Sequence, residues 1–285
     1  MNADIERYHM GLANICAIMG YGFDGNPISK ALKDQPPTST SETQNKSNDS
    51  TQRSEVMGIT LKLYSETCKI VLRRFGDPNI LSFFHVNLVF LYHLTFRPDA
   101  MQYVASSFPW ELAVQMLNTL LNSYQSDQAR SDLIACMESD KFPPATPKSA
   151  SQSAATVIVL PRPLPDDYAL RGFPWVEHYF PRNNEDRSKD WFANDRIDDD
   201  EKYFEMPSTT EERKERCLWL GHKIAKRGDN KWLQYNSESH TFSVGLGVEE
   251  HRSSTSHHQH TPLSSTKNPG HLELEELPDA TPGAP

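Results

Sequence analysis

The residues best suited to contact chemistry gather between Pro165 and Tyr235. Four of the five tryptophans lie there, Trp175, Trp191, Trp219 and Trp232, with Arg, Lys and His interleaved among them. Indole rings bring large, stiff contact area at little entropic cost, and cations beside them can meet phosphates or stack on rings. The stretch pairs no nucleophile with a base and shows no metal-ligand spacing, so its chemistry reads as recognition rather than bond breaking.

The strongest binding candidate inside it is the helix predicted over 208–227. Pro207-Ser208 followed by Glu211 matches a capping box with Ser208 as the cap, and Gly228 supplies the stop. Cys217, Leu220 and Ile224 fall on one side at helical spacing, with Trp219 beside them, and should face inward. Arg213, Lys214, Arg216, Lys223, Lys226 and Arg227 would then decorate the outer face, with Lys231 just beyond. Lysine and arginine supply phosphate contacts, and nearby Trp and Tyr can stack unpaired bases. The competing reading is a solvated, salt-bridged face, because Glu211, Glu212 and Glu215 balance three of those charges.

Other chemistry-bearing residues argue against catalysis. The run from Asp195 to Glu201, DRIDDDE, could hold Mg²⁺, but a metal site needs carboxylates converging from separate elements. Contiguous acids read instead as a solvated helix start that suits the helix dipole. His85, His93, His178 and His222 have no Ser or Cys partner at a suggestive spacing and read as core or surface histidines. His251, His257, His258 and His260 sit in a polar tail. No phosphate-binding glycine loop, GxSxG or HExxH occurs, and nothing calls for a cofactor, a metal or a small-molecule substrate.

The elements that must position these residues are helical. Residues 3–19 pattern as an amphipathic helix with Ile5, Leu12, Ile15 and Met19 on one face, broken by GYGFDGNP. Residues 36–54 contain no aliphatic or aromatic residue, are rich in Ser and Thr, and read as a disordered linker. A helix over 55–75 places Val56, Ile59, Leu63 and Ile70 on roughly one side. Asp77 and Pro78 then cap and start the next segment. Residues 79–96 carry no formal charge and read as a helix buried on all sides. A membrane span is the sharper alternative, but the run is short of about 20 residues and holds His85, Asn87 and His93. Arg97-Pro98 ends it. A short helix follows, then a helix from Phe108-Pro109-Trp110 with Ala113, Met116, Leu117, Leu120 and Leu121 as core, then a helix over 128–139. Residues 141–156 read as a linker, VIVL at 157–160 as an extended piece, 165–172 as one helical turn, 191–205 as an acidic helix, and LQY with HTFSV as a terminal hairpin. The tail from about Gly247 reads as disordered.

Composition fits this division. The chain has 285 residues, 37% apolar, with mean hydropathy −0.64 and net charge −9. That is polar for a fully packed chain, and a bulk acidic balance excludes nucleic-acid coating by the whole surface while leaving room for a local basic face. Cys16, Cys68, Cys136 and Cys217 are scattered without CxxC and read as reduced thiols of an intracellular protein. Met1–Gly20 lacks the basic start of a signal peptide.

Two segments together resemble a known family. Residues 77–120, DPNILSFFHVNLVFLYHLTFRPDAMQYVASSFPWELAVQMLNTL, are similar to the central helices of the ever-shorter-telomeres/SMG family of telomerase-associated and nonsense-mediated-decay factors. Residues 165–235 resemble the terminal segment of its fungal members: LPDDYALRG, W…YFP, WF…ID, RCLWLGHKIA and W…Y. The resemblance implies the family's DNA/RNA-binding helical domain, with most of its tetratricopeptide-like N-terminal domain and any PIN nuclease domain lacking. The expectation is an all-α fold: a tetratricopeptide-like or α-solenoid-like helical-hairpin array over 55–140, closed by a clamp over 157–245, with 1–35 a helical remnant of an upstream domain. The implied function is a non-catalytic adaptor of a ribonucleoprotein complex in the nucleus or cytoplasm. It would meet single-stranded RNA, telomeric DNA or telomerase RNA, together with decay- or telomerase-complex proteins and no membrane. The alternative is a protein–protein scaffold without nucleic-acid contact.

Overall fold

The computed structural model describes residues 3–23, 25–32, 47–124, 126–139, 142–143, 163–176, 178–181, 191–192 and 207–248. The order is α1 (Ala3–Ile18), α2 (Pro27–Leu32), α3 (Ser47–Leu72), α4 (Leu81–Leu94), α5 (Pro98–Ala105), α6 (Trp110–Asn122), α7 (Asp127–Glu138), α8 (Pro165–Leu170), α9 (Pro207–Arg227), β1 (Leu233–Asn236) and β2 (Thr241–Val244). The described chain is mostly helical, with one antiparallel hairpin pairing Leu233 with Val244 and Asn236 with Thr241.

The helix α4 is the axis of the fold, and its uncharged sequence explains why. All its residues but Tyr92 are buried, and α1, α8, α9 and the short helix Pro174–Val176 pack around it. Its entry follows the predicted signal: the Asp77 carboxylate accepts the Asn79 backbone N–H at 3.0 Å, with Pro78 next in line. Among the described residues no helix is long and apolar enough to cross a membrane.

The partner that completes the core is α9, which runs parallel to α4. Near one end His85 and Arg213 share Asp166, in the middle Tyr92 meets Trp219 at 6.1 Å, and at the other end Arg227 lies over Phe96. On its far side α9 packs on α6, α7 and β1. Gly221 permits the close approach to α6: a Cβ there would lie 2.9 Å from Leu117 Cδ1. The hairpin is stitched to α6 by Asn118, whose amide donates to the Phe242 carbonyl and accepts the Phe242 N–H, both at 2.9 Å. Those two bonds satisfy backbone groups that an open strand edge would leave bare.

Four expectations are corrected. Residues 47–54, read as part of a disordered linker, are the first two turns of α3; polar Ser/Thr-rich composition sets no stripe, and the helix is carried by its packed C-terminal half. The stripe Val56, Ile59, Leu63 and Ile70 faces outward, and α3 turns Tyr64, Cys68, Val71 and Leu72 to the core instead. The first helices are not a separate remnant: Tyr8, Leu12, Ile15, Ile18 and Ile28 belong to the same core as α4 and α9. Finally, α9 starts at Pro207, which puts Ser208 inside its first turn, and the Glu211 carboxylate accepts from Lys214 Nζ at 2.7 Å. The helix ends through Asp229 and Asn230 at φ 49° and 57°, so the left-handed positions fall on these two residues and not on Gly228. The expectations for 36–46, for VIVL at 157–160, for 193–205 and for the tail beyond Val248 lie outside the described residues.

Candidate nucleic-acid interface

The seven cations proposed for binding separate into two groups when α9 is placed on α4. Arg213 and Arg216 are buried, and the expected position on the outer face is overturned for both. Arg213, Cys217, Leu220 and Ile224 follow one another at intervals of four, three and four residues, and Arg216 is four before Leu220; at 3.6 residues per turn that is the core face.

These two guanidiniums meet a pair of carboxylates presented by α8. Arg213 Nη2 donates to Asp166 Oδ1 at 2.8 Å, and its Nε reaches both Asp166 oxygens at 3.2 Å. The other side of Asp166 faces His85 Nδ1. Arg216 Nη1 donates to Asp167, which also accepts from the Tyr179 hydroxyl at 3.0 Å and the Leu164 backbone N–H at 2.6 Å. Tyr179 closes the ring by meeting His85 Nε2 at 2.7 Å. The Arg216 guanidinium also lies over Phe142 at 5.0 Å and Trp191 at 5.4 Å. Burial alone would push the Asp166 carboxyl up, but the Arg213 guanidinium and His85 override it and hold it well below the usual carboxylate range. Burial, reinforced by Asp167, pushes the Tyr179 phenol up. Two carboxylates balance two guanidiniums out of reach of solvent, so this cluster is an internal tie between α4, α8 and α9, and it offers no face to a ligand.

The remaining cations lie at or near the surface. Lys214 is half-buried and bonded to Glu211. Lys223 is half-buried over the Trp219 ring at 5.3 Å, Lys226 and Arg227 are exposed, and Lys231 is exposed over Trp232 at 4.7 Å. Arg227 crowns a column of flat groups. Its guanidinium carbon sits 3.4 Å from the Phe96 ring centre, and the His178 ring stacks on Phe96 at 3.8 Å with 9° between planes. At those two separations the cation and the imidazole must occupy opposite faces of Phe96. His93 extends the group at 5.5 Å from His178. Burial, then His178 and Arg97, bring the His93 imidazole down to about 4, so it is neutral at neutral pH. The carboxyl ends of α4 and α9 converge here, and their dipoles hold cations in place.

Of the four tryptophans in the 165–235 stretch, Trp175, Trp219 and Trp232 are buried and Trp191 is half-buried, so most of that aromatic density is packing. Phe96 and His178 were not among the candidates, because they come from the end of α4 and from a turn far away in sequence. Among the described residues no group of three or more His, Cys, Asp or Glu could hold a metal ion. Cys16 and Cys136 are half-buried and Cys68 and Cys217 buried, all as free thiols. Comparison with protein-family models, with curated proteins and with solved structures finds no match.

Proposed function

We propose that the chain is a non-catalytic helical module that binds single-stranded nucleic acid, with RNA as the first candidate, along the exposed end of α9. The observation that carries the reading is the Arg227–Phe96–His178 column flanked by Lys223 and Lys226. With both faces of Phe96 covered by Arg227 and His178, the outer face of the Arg227 guanidinium is the surface on which an unpaired base would stack, and the lysines suit the phosphates beside it. In this reading α3 to α7 form a helical-hairpin array of the tetratricopeptide-like kind, closed by a clamp over 157–245. The resemblance of residues 77–120 and 165–235 to telomerase-associated and mRNA-decay factors supports an adaptor role in a ribonucleoprotein complex of the nucleus or cytoplasm.

Fluorescence anisotropy with labelled single-stranded RNA and telomeric-repeat DNA tests it. Binding is expected at low salt, weakening steeply between about 50 and 200 mM as counterions compete, and markedly reduced in Lys226→Glu/Arg227→Glu. No binding at low salt sinks the proposal, since phosphate contacts are strongest there. A second reading, a protein scaffold without nucleic-acid contact, is favoured by one observation, the exposed apolar stripe on α3.

A further inference from the structure

We propose that the C-terminal segment His271–Asp279, HLELEELPD, docks on the outer face of α3 of the same chain. Val56, Ile59, Leu63 and Ile70 are 55%, 62%, 57% and 66% exposed, an unusual state for four branched aliphatic residues on one helix. Their spacing of three, four and seven residues lines them along about 21 Å of one face, at 1.5 Å per residue. That face points away from the core residues Tyr64, Cys68 and Val71. An exposed apolar strip of this kind, interrupted only at Glu66 and Thr67, marks a surface that something covers.

Charge identifies the occupant. Along one border of the strip run Lys62, Lys69 and Arg73. Glu66 lies among them, and its carboxyl is held below the usual range first by the hydrogen bond and charge of Lys69, with Arg73 and Lys62 adding. Counting Glu55 at the start of the same border, three cations against two carboxylates leave it net basic. Beyond it opens a cavity of about 410 Å³ lined by Ser65, Lys69, Arg73, Ser106, Ser107 and Glu111 among others. The matching ligand is apolar and acidic. His271–Asp279 has that composition: Leu272, Leu274 and Leu277 alternate with Glu273, Glu275, Glu276 and Asp279, with no Lys or Arg. The leucines fit the strip, and the carboxylates fit the basic border and the cavity mouth.

The covalent connection is long enough. Residues 249–270 separate the end of the described fold from the segment. Twenty-two residues span up to about 70 Å at ~3.3 Å each, more than the width of a domain of this size. A tether of this length also gives the docked segment a high effective concentration, so a weak contact suffices. A helix of similar chemistry from another protein would then have to displace the tail. This inference is independent of the nucleic-acid reading, because α3 carries none of the proposed binding cations.

Zero-length carbodiimide cross-linking of the full chain tests it, read by mass spectrometry on an equal mixture of unlabelled and ¹⁵N-labelled protein. Cross-links from Glu273, Glu275 or Glu276 to Lys62 or Lys69 are expected within one chain. They should fall at least several-fold in Leu274→Asp and in Leu63→Asp, while binding of a dye that reports exposed apolar surface rises in Leu274→Asp. The Glu66–Lys69 pair at 2.8 Å, inside α3, is the internal standard for yield and folding. Links spread evenly over lysines elsewhere, links mainly between light and heavy chains, or a yield unchanged by Leu274→Asp each overturn the proposal.

Discussion

The two ends of α9 carry the same residue types to opposite effect. At the start, Arg213 and Arg216 lie within hydrogen-bonding distance of Asp166 and Asp167 and are sealed from water. At the end, Lys226 and Arg227 stand exposed over the convergence of two helix termini, with Phe96 and His178 stacked beneath Arg227. A buried guanidinium is committed to its carboxylate because removing either leaves an uncompensated charge. An exposed cation contributes little to stability and can still meet an outside phosphate. Cation content along a helix therefore does not locate a binding face. The neighbour that each cation meets does.

The sharpest break is at the buried end. Asp166→Ala or Arg213→Ala should destabilise the fold by about 3–5 kcal/mol, read as a fall in the denaturant midpoint, since each strands the opposite charge. Stability unchanged within about 0.5 kcal/mol would refute the internal tie. Midway, Gly221→Ala should cost about 1–3 kcal/mol, because its methyl would press on Leu117. At the exposed end, Lys226→Glu/Arg227→Glu should cost about 1–2 kcal/mol in total, since Arg227 loses its contact with Phe96 and both acids oppose the helix dipole, less than either buried-end variant. Nucleic-acid affinity should fall in that variant, and the salt slope should drop by about 1 for each phosphate no longer neutralised.

The two ends should also titrate apart. His93, at the exposed end, has a folded pKa near 4. The unfolded chain binds that proton near 6.5, so stability falls as pH drops from about 6.5 towards 4. Asp166, at the buried end, is held below the usual carboxylate range. Its contribution is full above the unfolded value of about 3.9 and disappears only as pH falls below it. Melting curves across pH should show the upper slope vanish in His93→Phe and the lower one in Asp166→Asn. A single slope insensitive to both would undo the distinction.

Much of the fold was legible. The uncharged run 81–94 announced a helix buried all round, α6 buried the five residues its period marked, and LQY with HTFSV formed the hairpin. The inward placement of Arg213 and Arg216 was legible too, since both share the period of Leu220 and Ile224; ranking charge above spacing sends them to the wrong face. The α3 stripe failed in the opposite way. Its apolar period was genuine, yet Tyr64, Cys68 and Val71 make an equally good period on the other side, and only packing against α1 and α6 selects between them. The candidate site was half legible: its lysines and Arg227 lie on one predicted helix, whereas Phe96 and His178 come from distant segments.

By itself the sequence determined most of the helical segments (though not the start of α3), where most of them stop, and that α4 must be central, because periodicity, caps and absence of charge act within a few residues. Only the tertiary structure decided which cations are held inside and which face out. That choice depends on Asp166 and Asp167 of α8 arriving beside α9 from more than forty residues away, and on α4 delivering Phe96 beneath Arg227. Electrostatic partners and ring stacks are contacts across space, and no local pattern in the chain encodes them.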